Sequence, residues 1–309
     1  MRDLIYGLPS LPCGWEQSAI KLRPRAWLAA IGAATIVVLF GSLTQPVWAE
    51  SPEISNRRSL ERAEFTDREI TDGFFKIAFG AELQLGRRVE RIRRFDEPVR
   101  VFFDNLGEPD RRVELANVAA DIRARVNHLD LSLTDNVHAA NLIVTLVRER
   151  DLQRTIRRIF GLDHAKRIQR SLDPQCLSGF GKDQQYRIRR AEVILPVDAG
   201  EFTFYDCAYE EMLQALGPIN DDSSVPWTMF NDDVQMGFFD IYDQYLLNIL
   251  YDPRIRPGMS KEQVGKLLPE VLPAVRTWVA KTNSVANSVA NSVGNSVRGA
   301  QLLDGKHTD

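Results

Sequence analysis

Residues 207–221 read Cys-Ala-Tyr-Glu-Glu-Met-Leu-Gln-Ala-Leu-Gly-Pro-Ile-Asn-Asp. At about 100° per residue, Ala208, Tyr209, Met212, Leu213, Ala215 and Leu216 fall on one broad apolar side, and Cys207, Glu210, Glu211 and Gln214 share the other. Asp206 stands where an N-cap is expected, and Gly217-Pro218 supplies the stop. The segment therefore reads as a short helix with one face for a core and a compact polar face opposite. Glutamates near a helix start complement its dipole, and a glutamine one turn on is an ordinary i, i+4 partner. A purely structural reading of the polar face thus stands beside any functional one.

Working outward, Thr66-x-x-Glu69 is a capping box that opens a helix over about 67–79, with Ile70, Phe74, Ile77 and Ala78 at helical spacing. Val99, Val101 and Phe103 alternate as a strand, and Leu115, Val118, Ala119, Ile122 and Val126 mark the next helix. Residues 141–147 form a near-continuous apolar run, the pattern of a central strand covered on both faces. A basic amphipathic helix over 151–170 and a strand over 191–196, closed by its proline, complete the alternation. Residues 242–251 read as a helix, and Ser260-x-x-Gln263 opens a last one carrying Val264, Leu267, Leu268, Val271 and Val275. Alternating strands and helices predict an α/β layer fold with α+β character.

The two ends stand apart from this core. Lys21, Arg23 and Arg25 precede the uncharged apolar stretch 26–40, and Val47-Trp48-Ala49 offers a cleavage site, so residues 1–49 read as an export signal. The alternative is an uncleaved inner-membrane anchor through residues 26–45, although the apolar core is short against the about 20 residues a span needs. Residues 50–60 are expected to be a linker and 61–280 the folded domain. An Asn-Ser-Val-Ala repeat starting at Asn283 makes 281–309 a low-complexity tail, helical at most in part, that buries too little apolar surface to offset its ordering entropy.

The composition is that of a globular protein: 309 residues, 44% hydrophobic and 26% charged, which excludes a disordered chain. Residues 1–49 carry four basic and two acidic side chains, so the net charge of −3 becomes −5 without them. An acidic exported chain is a poor partner for nucleic acid, and the arginines at 87, 88, 91, 93 and 94 are expected on a solvated face. There is no Gly-x-Ser-x-Gly, no P-loop and no dinucleotide fingerprint. Four scattered histidines, at 128, 138, 164 and 307, cannot form a metal cluster by local spacing.

The 207–221 segment resembles, position by position, the His-Glu-x-x-His-x-x-Gly-x-x-His/Asp frame of the metzincin zinc peptidases, with the ligands exchanged. On that resemblance Glu210, Gln214 and Asn220 stand at the three ligand positions, Glu211 at the general base, Gly217 at the glycine and Met229 at the methionine turn. The resemblance implies a twisted mixed sheet, an active-site-type helix, a helical C-terminal part and a substrate-side edge strand at 191–196. A closer resemblance is to an uncharacterised proteobacterial family of exported and lipoprotein-like proteins. It rests on Cys207, Glu210-Glu211-x-x-Gln214-x-Leu216-Gly217-x-x-Asn220-Asp221 and Leu250-Tyr251-Asp252-Pro253-Arg254 to Pro257-Gly258-Met259. It spans roughly residues 60–277 and implies a fold and a location but no reaction.

One carboxylate and two amides are hard oxygen donors, unlike the imidazoles and thiolates that hold zinc, so no zinc and no cofactor is expected. Ca²⁺ or Mg²⁺ suits such donors better, with Asp221, Asp222, Asp232 and Asp233 nearby in sequence, though three groups fall short of a calcium shell. The leading expectation is a non-catalytic periplasmic module holding an extended peptide or glycan along 191–196 by strand addition. The alternatives are a hydrolase with Glu211 as base and Glu210 raising its pKa, or a structural envelope domain. In an oxidising compartment Cys176 and Cys207 are expected to pair, the alternatives being two buried thiols or a reactive Cys207 at a helix start.

Overall fold

The computed structural model describes residues 51–80, 90–171 and 174–304. The signal at 1–49, with its possible anchor at 26–45, and Arg87 and Arg88 lie outside the described residues. Two helices come first, α1 (Pro52–Ser59) and α2 (Asp67–Ile77). Thr66 and Glu69 form the expected capping box of α2, each side chain bonding the other residue's backbone. There follow β1 (Val99–Asn105), α3 (Arg112–Arg125), β2 (Leu131–Leu133), β3 (Leu142–Val147), α4 (Leu152–Phe160), α5 (Leu162–Ser171), β4 (Leu177–Lys182) and β5 (Ile188–Pro196). The chain closes with α6 (Glu201–Ala215), α7 (Ile241–Tyr251) and α8 (Lys261–Asp304).

The fold is mixed α/β. Its five strands lie in the order β2-β1-β3-β5-β4, parallel except for β4, which runs antiparallel to β5. Every residue of β3 is buried, as the apolar run 142–147 requires of a strand covered on both faces. On one face Val144, Val193 and Leu195 join the main core with α2, α3, α6, α7 and α8. On the other, Val147, Leu177 and Ile194 pack against Leu152 and Ile156 of α4 and Ala165 and Ile168 of α5.

Several expectations need correction. Residues 52–59, read as linker, are a helix capped by Ser51, with Ile54 buried. The strand 191–196 is not an edge: β5 is paired to β3 on one side and β4 on the other, which leaves no backbone donors or acceptors for an added strand. The edge on this side of the sheet is β4, whose two glycines and single aromatic give no alternating strand signal. Asp206 is not a cap, because α6 begins at Glu201, and its carboxylate instead accepts the N–H groups of Met236 (2.7 Å) and Gly237 (3.0 Å). The helix at 151–170 is broken at Gly161, whose φ of 80° suits glycine. The repeat from Asn283 continues α8 to Asp304. Extending a helix already nucleated by a packed half needs only one hydrogen bond per residue fixed.

The disulfide is present: Cys176 and Cys207, both buried, tie the start of β4 to the middle of α6 with a Cα–Cα distance of 5.9 Å. The bond spans 31 residues, and loss of its constraint on the unfolded chain is expected to cost about 2–4 kcal/mol. Denaturant unfolding of Cys176→Ala/Cys207→Ala should show this as a lower midpoint, and a midpoint equal to the parent's would show that the bond adds nothing.

Candidate functional site

Helix α6 lies beside the open edge of the sheet and is tied to it along its length. Beyond the disulfide, Gln214 is 5% exposed and works in two directions. Its carbonyl oxygen accepts from the Ser178 hydroxyl on β4 (3.2 Å), and its amide donates to Asp221 Oδ1 (2.9 Å). Side chains alternate along a strand, so Ser178 and Phe180 face α6. Gly179 faces the other way, where a Cβ would meet the ring of Phe160. At the helix end, Tyr251 donates to the Leu216 carbonyl (2.9 Å), and Gly217 turns the chain with φ 141°. A Cβ at Gly217 would overlap the carbonyl oxygen of Arg93, so only glycine fits.

The residues at the three former ligand positions of the frame separate here. Glu210 converges with Asp221 and Asp232, one carboxylate oxygen from each lying within 4.8 Å of the others. Gln214 joins this group through Asp221. Asn220 does not: its amide donates to the Lys76 carbonyl (2.8 Å) at the end of α2, and its side chain packs beside Gly80. The turn after Gly217 thus presents Asp221, one residue beyond the third position of the frame. Glu211 is only 6% exposed, within the packed layer rather than on an open face. Met229 is buried, its N–H donating to Asp243 Oδ2 (2.8 Å) at the start of α7.

Burial pushes Glu210 well above the usual carboxylate range, and Glu211, Asp221, Asp206 and Asp232 reinforce the shift by like charge. As a metal site the donor set does not fit zinc. No imidazole contributes to any group of three or more ligating side chains among the described residues, and Cys207 is consumed in the disulfide. Three carboxylates are hard donors of the kind that Ca²⁺ or Mg²⁺ takes, but fewer than a full shell of six to eight oxygens.

Arginines read as a solvated face are instead central. Arg93 is 3% exposed and donates to the Gly80 carbonyl. Arg94 donates to the carbonyls of Leu250 (2.7 Å), Asp252 (3.2 Å) and Ile255 (2.9 Å) and lies over the ring of Tyr251. Ile92 pairs its backbone with Gly258 and Met259, and Asp252 holds Arg254 through both carboxylate oxygens. The Leu-Tyr-Asp-Pro-Arg motif, with Ile255, is therefore a cradle for a partly buried arginine. The available signal was two arginines set between Ile92 and Phe95, both core residues.

What fold and site define is a mixed α/β domain with a disulfide-pinned helix carrying an acidic cluster beside an open strand edge. Residues 67–270 match the family described as "Protein of unknown function (DUF2927)", and the chain belongs to that family. Both motif segments, 207–221 and 250–259, fall inside the match. No curated protein matches the chain.

A carboxyl with a raised folded pKa contributes stability that is full at low pH and lost as pH rises. Glu210→Gln should therefore be more stable than the parent at neutral pH and flatter in its pH dependence above pH 4.5. Unfolding midpoints from pH 4 to 8 check this, and parallel profiles for the two proteins would refute it.

Proposed function

We propose that this chain is an exported, metzincin-like module that has exchanged its zinc ligands and binds an extended peptide along β4. The observation that carries this reading is the edge itself: among the described residues β4 ends the sheet, pairs only with β5, and runs beside the polar residues of α6. A peptide can continue the ladder there through its own amides, with alternate side chains turned toward Ser178, Phe180 and the acidic cluster. A glycan has no comparable ladder of amide donors and acceptors, so a peptide is favoured. Support for the metzincin-like frame comes from the helix-glycine-turn sequence of α6, Gly217 and Asp221, set against a mostly parallel sheet with one antiparallel strand.

Export is supported by the disulfide, which persists in oxidising compartments. No helix of the described residues is long and apolar enough to cross a membrane. The hydrolase reading finds less support, because a general base must reach a water or substrate proton and Glu211 is buried.

The test is an amide-resolved NMR titration of the chain with a library of extended peptides. Binding should perturb residues 177–182 and 207–214 together, and Glu211→Gln should bind equally well. Perturbations confined to other surfaces would reject the groove, and peptide cleavage abolished by Glu211→Gln would favour the hydrolase.

A further inference from the structure

Away from the groove, three carboxyl groups from two parts of the chain meet at the first turn of α7. Asp240 is the N-cap, its Oδ1 accepting the N–H of Asp243 (3.1 Å). Asp243 takes the Thr228 hydroxyl and the Met229 N–H on its two oxygens. Glu61, from the segment between α1 and α2, accepts the N–H of Ile241. Asp240 and Asp243 are 1% and 0% exposed, and Asp240 Oδ2 has no hydrogen-bond partner among the described residues. A first-turn dipole favours a carboxylate only modestly, too little to hold two buried negative charges and a third, partly buried one together.

We propose that Glu61, Asp240 and Asp243 form a proton-dependent latch: protonated, it clamps α1 and its following segment to α7, and ionised, it lets Glu61 and α1 go. Glu61 is the member that moves, since Asp240 and Asp243 are built into the helix start. The groups that face it are Asp240, which raises its proton affinity, and Arg58 and Arg125, which lower it. Arg58 also lies over the ring of Phe238, and Arg125 also pairs with Asp121 (2.6 Å). Asp243 is faced by Asp240, the Thr228 hydroxyl, the Met229 N–H and, from α6, Glu210.

Burial and Asp240 push Glu61 up to about 7, and burial raises Asp243 to about 6. With the folded values above the unfolded ones, the clamp is strongest at low pH and weakens as pH climbs toward 7. The other ties of helix α1 include Ile54 in the core, Arg57 on the Gln235 carbonyl, and Arg57 and Arg58 over Phe202 and Phe238. The segment it rests on, 235–238, belongs to the connection that also carries Asp221 and Asp232. The latch stands whatever the groove binds.

Hydrogen exchange of the full chain from pH 5 to 8, corrected for intrinsic rates, tests it. Opening of residues 52–62 should rise by up to about tenfold per pH unit below 7 and level off above, the limit for one linked proton. Glu61→Gln, which keeps an acceptor for Ile241, should remove that rise. A flat profile in the parent, or an unchanged rise in Glu61→Gln, would overturn the proposal. A carboxyl NMR titration of Glu61 in the parent gives a second readout that does not depend on the variant folding. A midpoint near 7 supports the latch, and one in the ordinary glutamate range overturns it.

Discussion

At Gly217 the chain turns in a conformation that suits glycine, and the carbonyl of Arg93 fills the place a side chain would take. Much of the structure hangs on that contact. It ends α6 against the strip Ile92–Phe95, which is itself held by Arg94 in the cradle formed by residues 250–255 and by Ile92 on Gly258 and Met259. A few residues on, Asn220 bonds the end of α2, and Asp221 returns to Gln214. One close backbone approach thus sets the direction of α6, the position of α2 and the placement of an acidic side chain beside the sheet edge.

The acidic cluster works against the stability of the fold, and its neighbours show how it is held. Glu210 is pushed up by burial and by four like charges, an arrangement that uncharged residues of similar shape would avoid. Three fastenings keep the helix in place despite it: the Cys176–Cys207 bond, the Gln214 link to Ser178, and the Gly217 contact. Costly groups of this kind beside a strand edge depart from what folding alone would select.

Local signals carried a good part of this architecture. The capping box at Thr66, the buried run 142–147 and the apolar side of α6 each depend on neighbours within a few residues, and each was legible in the chain. The disulfide followed from two cysteines in a chain expected to be exported. Strand order was not legible, because pairing joins residues far apart in sequence. Strand β4 has two glycines in six positions, so the edge was assigned to the more strand-like 191–196. Asn220 and Asp221 exchanged roles because a turn after a glycine at positive φ shifts which side chain points inward, and a linear frame has no way to register it. Arg93 and Arg94 read as solvated in the sequence because a charged residue leaves water only when other groups receive it, and the carbonyls that do so lie far along the chain, at Gly80 and in residues 250–255.

In the proposed function, carboxylates and an amide take the places that a metzincin-like frame gives to zinc ligands. The most direct test is the zinc content of the chain purified at neutral pH without chelator, followed by titration with zinc. Far less than one zinc per chain and no tight site is the expected result. One tightly held zinc per chain, lost in Glu210→Gln or Asp221→Asn, would contradict it.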